Sequence, residues 1–234
     1  MVLFGSIVNG LTIVMGALLG KVLHRIPEGI KGTVMQAIGL AVVVLGLQMG
    51  LTSENFLTVI ISLVIGAAIG EVCTLDDRLN KVGLWLERRV GKPTDETSIA
   101  QGFVTATLIF VIGAMGIIGA LDSGLRDNHE VLLTKAIIDG VTALILTTTL
   151  GMGVIFSAVP VVLYEGGIAL FATQIDRLVP QAWLDAFIVE MTAAGGIMIL
   201  AIGLNLLGLT KIKVANLLPS LIVVGVIITI QHLL

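Results

Sequence analysis

The chain is short of charge and of cysteine, and it lacks the short motifs of the common enzyme classes. Asp, Glu, Lys and Arg make up 12% of its 234 residues, against about a quarter in a soluble domain. The deficit runs along the whole chain, beside 56% hydrophobic residues and a mean hydropathy of +1.09. A water-soluble globule is excluded. The one cysteine, Cys73, rules out an intramolecular disulfide and reads as a structural thiol at a helix end. His24, His129 and His232 are scattered, with no metal-ligand spacing, so neither a metal nor a cofactor is expected. H-E-x-x-H, G-x-S-x-G and Walker A sequences are absent. The reading is therefore not an enzyme, with an intramembrane hydrolase using two acids, such as Asp139 and Glu165, as the remaining catalytic alternative. No basic, aromatic-interleaved surface points to nucleic acid.

What is present is a series of apolar runs approaching the roughly 20 residues that cross a bilayer as helix. Runs such as "IGLAVVVLGL" do not alternate, which excludes a transmembrane barrel. The fold class is all-α, a single transmembrane domain over 1–234, with spans near 2–20, 33–51, 55–72, 98–121, 134–150, 154–173, 184–208 and 213–233. The stretch 136–173 is too long for one span and is interrupted by "GMG" at 151–153. Two helices there give eight spans; one strongly tilted helix gives seven. With eight spans and the N-terminus outside, Lys21, Arg25, Lys31, Arg78, Lys81, Arg88, Arg89, Lys92, Lys211 and Lys213 face inward, against Arg126, Lys135 and Arg177 outside. The positive-inside rule prefers this arrangement to seven spans. The first span has no basic n-region and reads as retained rather than cleaved.

Between spans three and four, residues 74–92 place Leu75, Leu79, Val82, Leu86 and Val90 at helical spacing. Thr74 and Asp77 form a plausible cap. On the inner surface such a helix either lies among lipid headgroups, with Trp85 at the boundary, or packs across the mouth of the bundle. Gly16 and Gly20, Gly46 and Gly50, and Gly66 and Gly70 are small-residue pairs four apart. Such pairs let helices approach closely in lipid, either inside one subunit or between subunits of a homo-oligomer.

The chain also echoes itself. "QAIGLAVVVLGLQMGL" in span two resembles "AAGGIMILAIGLNLLGL" in span seven, with Gly46-Leu47-Gln48 on Gly203-Leu204-Asn205. Each is followed by a short loop and another apolar span, and the two run in opposite directions under the eight-span topology. This is the pattern of an inverted-repeat transporter. A fainter echo matches "IVMGALLG" with "IGAMGIIGAL".

Three acids fall inside spans: Asp139, Glu165 and Glu190. A charge at the bilayer centre costs about 2.5–3.5 kcal/mol even on lenient scales, so such groups face a partner or a wet cavity. By helical rise, Asp139 and Glu190 lie roughly 8–9 Å and Glu165 roughly 13 Å from the outer ends of their spans. Asn9 and Gln48 share that half of the membrane. Convergence around a polar cavity is the functional expectation, with Asn205 also orienting substrate and Tyr164 and Thr192 supplying hydroxyls. Gly166 and Gly167 beside Glu165, and Gly195 and Gly196 after Glu190, are expected hinges where a broken helix exposes backbone groups. Two plainer readings stand beside this one. Lys135, one turn before Asp139, pairs with it, and Glu190 is interfacial if its span starts later.

The stretches "GSIVNGLTIVMGALLG", "GLQMGL", "YEGGIAL" and "GLNLLGLTKIKVANLLPSL" resemble the YqgA/YdfK family of bacterial inner-membrane proteins across nearly the whole chain. The resemblance implies a polytopic protein of the plasma membrane and supplies no site residues. The expected function is passage of a small cation or polar solute, coupled to protons or not, by a homo-oligomer in the lipid bilayer. In that reading Glu165, Asp139 and Glu190 bind the cation or exchange protons. The competing class is a non-transporting scaffold, lipid-binding protein or sensor that uses the acids as internal glue.

Overall fold

The structure, a computed structural model, describes residues 1–23, 28–90 and 99–233. Arg25, Lys92 and the end of the 74–92 segment lie outside the described residues. Among those described, the chain is helical, with no strand. The helices are α1 (Phe4–Leu23), α2 (Glu28–Gly50), α3 (Phe56–Val72), α4 (Leu75–Val90), α5 (Ile99–Val111), α6 (Ala114–Arg126), α7 (Glu130–Leu150), α8 (Ala158–Leu170), α9 (Ala172–Leu178), α10 (Gln181–Leu206) and α11 (Pro219–Leu233). Among the described residues, five stretches are long and apolar enough to cross a bilayer, or seven if the bent pairs α3/α4 and α5/α6 each count as one. Leu11, Met15, Leu18 and Val22 on α1, and Ile137, Ile138 and Val141 on α7, are exposed. That much bare apolar surface is a liability in water and a match to hydrocarbon.

The chain divides into two compact units. The first comprises Met1–Met35, Asn80–Val111 and Met115–Ile175. Here α1 packs in parallel on α7: a β-carbon on Gly5 would meet Leu132, on Gly16 Gly140 and Leu144, and on Gly20 Leu144 and Thr147. Against α8 the order reverses, since Gly10 faces Val162 and Ala158 while Gly166 faces Leu3 and Ser6. Hence α7 and α8 run in opposite directions. The 41-residue stretch Glu130–Leu170, about 60 Å if straight, is a hairpin, so the alternative of one long tilted helix falls. Its corner is the 3-10 segment Gly151–Ser157. Gly151 there has φ +76°, which favours glycine, and a β-carbon on Gly153 would lie 2.2 Å from the Ile99 carbonyl oxygen. Thr148 and Thr149 bond back to the carbonyls of Ile145 and Leu146.

The expected span 98–121 is not one rod. It breaks between α5 and α6 with a bend of 62°, at Gly113, where φ is +145°. On α4, Gly83 packs against Ala100 while Val82, Leu84 and Trp85 stay exposed, with the Arg89 guanidinium 5.7 Å from the Trp85 ring.

The second unit comprises Gln36–Leu79, Ile112–Ala114 and Asp176–Leu234. Its centre is the antiparallel pair α2 and α10, and the contacts are reciprocal. A β-carbon on Gly46 would lie 2.3 Å from Leu200 N and 2.7 Å from Gly196 O; on Gly203 it would lie 2.7 Å from Val43 N and 3.0 Å from Gly39 O. In the register that sets Gly46 on Gly203, Val43 falls on Leu200 and Gly39 on Gly196. Each helix thus presents the same small-residue surface to the other, as in a two-fold contact. After a shift of one residue, Gly50-Leu51-Thr52 matches Gly208-Leu209-Thr210 in the following loops. Next to this pair, α3 runs antiparallel to α11, with Gly66 on Ser220 and Gly70 on Asn216. All six glycines of the spaced pairs therefore face helices of their own chain.

The expected hinges are corrected by these contacts. Helix α8 continues through Gly166 and Gly167, and α10 through Gly195 and Gly196. Gly166 admits Leu3, Gly195 admits the Ile112 side chain and Gly196 admits the backbone of Met49 and Gly50. These are close approaches, which hold a helix in place rather than freeing it. Gly167 has nothing within 4 Å of a β-carbon. Gly167→Ala is therefore expected to keep or raise stability by up to about 1 kcal/mol through helix propensity. Gly196→Ala should cost about 1–3 kcal/mol through overpacking. Unfolding in detergent micelles measures both, and a hinge at 167 would reverse the first sign.

Candidate functional site

The polar residues of the first unit meet where α1, α7 and α8 cross. Gly10 lets α8 approach α1, and Gly166 repeats this one turn from Ser6, so Asn9 and Glu165 look at each other. The parallel packing of α1 on α7 sets Asp139 beside Asn9. The Asn9 amide donates from Nδ2 to Glu165 Oε1 at 2.8 Å and to Asp139 Oδ2 at 3.0 Å. Lys135 reaches the same place from one turn earlier on α7. Its ammonium pairs with Asp139, lies 3.2 Å from Glu165 Oε1 and donates to the Phe110 carbonyl at 2.8 Å. Asn9, Lys135, Asp139 and Glu165 are at most 6% exposed.

One cation thus serves two carboxylates in a buried setting. Lys135 has three N–H donors; two bond the Phe110 carbonyl and Asp139, and the ammonium is an ion-pair neighbour of Glu165. Charge is not balanced, because Asn9 is neutral. Three buried oxygens of the neighbourhood also lack a hydrogen-bond partner: Asn9 Oδ1, Glu165 Oε2 and Ser6 Oγ. Buried polar atoms are normally paired, and an unpaired one costs roughly 1–3 kcal/mol.

Two parts of this cluster escaped the sequence. The Phe110 carbonyl is available because α5 stops just beyond it, so a broken helix does present backbone to the site, at Gly113 and not at Gly166. Ser6 is a small polar residue in an apolar run, and its only signal is that it sits three positions before Asn9 on one helix face. Gly116, in the first turn of α6, lies over the cluster. A β-carbon there would be 3.5 Å from the Tyr164 ring and 3.9 Å from Glu165 Oε1.

The other expected site residues do not join these four. Glu190, in the second unit, accepts from Ser53 Oγ at 2.6 Å and from the backbone N–H groups of Glu54 and Asn55 at 3.0 and 2.8 Å. It ties down the loop that starts α3, satisfying helix-terminal donors that lack partners of their own. Asn205 holds the turn after α10, accepting from Thr210 Oγ1 and Ile212 N and donating to Ile212 O. Gln48 is exposed on α2. Thr192 Oγ1 has no partner. A residue absent from the expectations, Asn216, secures the α3/α4 bend. Its amide donates to Glu71 Oε2 at 2.6 Å, and its oxygen accepts from Asp76 N at 2.8 Å. Thr74, the expected cap, instead has φ +50°.

Removing the shared cation has a calculable consequence. Lys135→Met leaves two carboxyls facing each other and is expected to cost about 3–5 kcal/mol. Adding Asp139→Asn and Glu165→Gln should restore much of it, read as midpoints of chemical unfolding in micelles. Recovery by neither partner would mean the lysine is not holding the helices together.

The chain is similar to known sequences over almost its entire length. The family model described as "Protein of unknown function (DUF554)" matches residues 4–229. The uncharacterized membrane protein YdfK of Bacillus subtilis is 34% identical over 236 residues, covering 98% of this chain and 97% of that protein. The uncharacterized protein YqgA of Escherichia coli is 29% identical over 223 residues, covering 93% of each. No solved structure matches. The resemblance read from the glycine-rich segments is borne out, and the chain is a polytopic helical membrane protein of the DUF554 family.

Proposed function

We propose that this protein moves a small cation, or a polar solute coupled to one, across the plasma membrane, and that it does so without enzymatic chemistry. The observation that carries the reading is the meeting of Asn9, Lys135, Asp139 and Glu165 from three apolar helices, two carboxylates to one ammonium. Ionisable groups within a membrane are expensive and mark ion paths by default. An excess of carboxylate favours a cation over an anion, and the Lys135 ammonium already occupies the place of one. The second carboxylate is the charge that a travelling cation offsets. The orientation that fits the positive-inside rule has the N-terminus outside, and a homo-oligomer is the assembly we favour.

A second reading has one observation of its own. The exposed Val82, Leu84 and Trp85 of α4, with Arg89 against the indole, suit a helix resting on lipid headgroups, as in a membrane scaffold or lipid-binding protein. The same unfolding-competent protein in liposomes separates the two. In flux assays over a panel of monovalent and divalent cations, Glu165→Gln and Asp139→Asn are each expected to lose at least about 10-fold, since 1.4 kcal/mol at the rate-limiting step is tenfold. Parent-like flux in folded variants would remove the transport reading and leave the scaffold.

A further inference from the structure

The cluster carries one more negative than positive charge if every group is ionised, and its hydrogen bonds say where the imbalance is resolved. Asp139 Oδ2 receives both the Lys135 ammonium and the Asn9 amide. Glu165 also uses one oxygen for both partners, and it differs in its second oxygen. Its Oε1 takes Asn9 and Lys135, while Oε2 is buried and bare. Two further oxygens of α1, Asn9 Oδ1 and Ser6 Oγ, are equally bare, and Ser6, Asn9 and Glu165 are fully buried. An ionised carboxylate and an amide oxygen offer only lone pairs, so Glu165 Oε2 and Asn9 Oδ1 cannot satisfy each other; the Ser6 hydroxyl can donate, but it makes no hydrogen bond to either. A carboxylic acid has an O–H, and Asn9 Oδ1 and Ser6 Oγ can accept from it.

We infer that Glu165 is the proton-carrying group of the cluster: it takes up one proton on Oε2, donated as a hydrogen bond to an oxygen of α1, while Lys135 and Asp139 remain a closed ion pair. The inference rests on the reading of this cluster as an ion site and names the ion as a proton. The balance is simple. One O–H bond forms at Oε2 with a proton from water, the cluster goes from one net negative charge to none, and the reverse step returns the proton to water. No other bond changes. The groups facing Glu165 are Lys135 and Asp139 from α7, Asn9 and Ser6 from α1, the uncharged Phe110 carbonyl of α5 by way of Lys135, and Gly116 of α6. Tyr164 flanks it on its own helix. Among these described neighbours, Lys135 is the only cation, and Asp139 is already paired with it. Glu165 is therefore the group that changes charge at least structural cost.

The test uses the full chain in liposomes and reads the acid directly. Infrared difference spectra between acidic and alkaline buffer, in H2O and D2O, are expected to show the carbonyl stretch of a protonated carboxyl in the parent and to lose it in Glu165→Gln. Glutamine is the uncharged mimic of the acid, with an amide donor in place of the O–H. Glu165→Gln should therefore melt within a degree or two of the parent at neutral pH, and Asp139→Asn, which unpairs Lys135, should melt many degrees lower. Absence of the band in the parent, its persistence in Glu165→Gln, or a Glu165→Gln protein that fails to fold each overturns the inference. Sodium or potassium that stabilises the parent at fixed pH, but not Glu165→Gln, assigns the site to an alkali cation; it overturns the proton and leaves transport standing. A Glu165 band in a protein whose flux is indifferent to Glu165→Gln supports the proton and removes transport, so the two readings fail separately.

Discussion

The ammonium of Lys135 holds together groups that hydrocarbon would otherwise expel. It is anchored on α7, takes the end of α5 through the Phe110 carbonyl, and draws Glu165 of α8 to the Asp139 side of its own helix. In water such an arrangement contributes little, because solvent screens exposed pairs. Inside a membrane protein the alternative to pairing is a bare charge, so the same contacts decide which helix faces turn inward. The hairpin of α7 and α8 follows from this as much as from its corner. Lys135 and Glu165 stand at corresponding levels on opposite arms, and a straight helix would hold them some 45 Å apart.

Close packing does the rest, with glycine as its instrument. Apolar attraction between helices is weak in lipid, and association relies on van der Waals contact and hydrogen bonds. Gly16 and Gly20 of α1, Gly46 of α2, and Gly66 and Gly70 of α3 meet backbone atoms of α7, of α10, and of α11 and the turn before it, at distances where any β-carbon would collide, while Gly50 makes ordinary contact with α10. Within each unit these helices cannot slide without losing that fit, and in the first unit the packing of α1 on α7 gives the polar cluster a fixed frame. The second unit has polar clamps of its own: Glu190 on the loop before α3, Asn205 on the turn after α10 and Asn216 at the α3/α4 bend. Such residues resemble functional ones in sequence, since both kinds are polar groups amid apolar runs.

That resemblance explains how far the sequence could be read. The membrane class and most span positions were legible because hydrophobic length is a local property, whereas the break within 98–121 was not. The partnership of Asn9, Asp139 and Glu165 was legible from depth along their helices. Depth gives no azimuth, however, and Glu190 at a similar level turns to a loop instead. Glycine was ambiguous for a related reason. A Gly-Gly pair lowers helix propensity and also permits close approach, and only the neighbour decides which matters. At Gly195 and Gly196 the neighbours are Ile112 and the end of α2, so the helix stays whole. At Gly113 the backbone itself takes a conformation that disfavours side chains, and there the helix breaks. Nothing in "VIGAMG" marks that glycine apart from the others.

The echo between α2 and α10 has a counterpart in the cluster itself. Asn9-Gly10 and Glu165-Gly166 are 156 positions apart, within one residue of the offset relating Gly46 to Gly203. Helix α1 crosses α8 antiparallel, as α2 crosses α10, and the contacts again come in reciprocal pairs: Gly10 on Val162, Gly166 on Ser6. Asn9 and Glu165 therefore each precede a contact glycine and meet near the local two-fold axis of this antiparallel helix pair. Two glutamates at those places would repel across the axis and raise the charge that Lys135 must offset. Two asparagines would leave nothing to titrate. An amide facing an acid is the combination that can bind either protonation state, because the amide offers a donor to the carboxylate and an acceptor to the acid. The near-symmetry of the helices brings the pair together, and the one chemical difference between its members is what allows the site to change its charge.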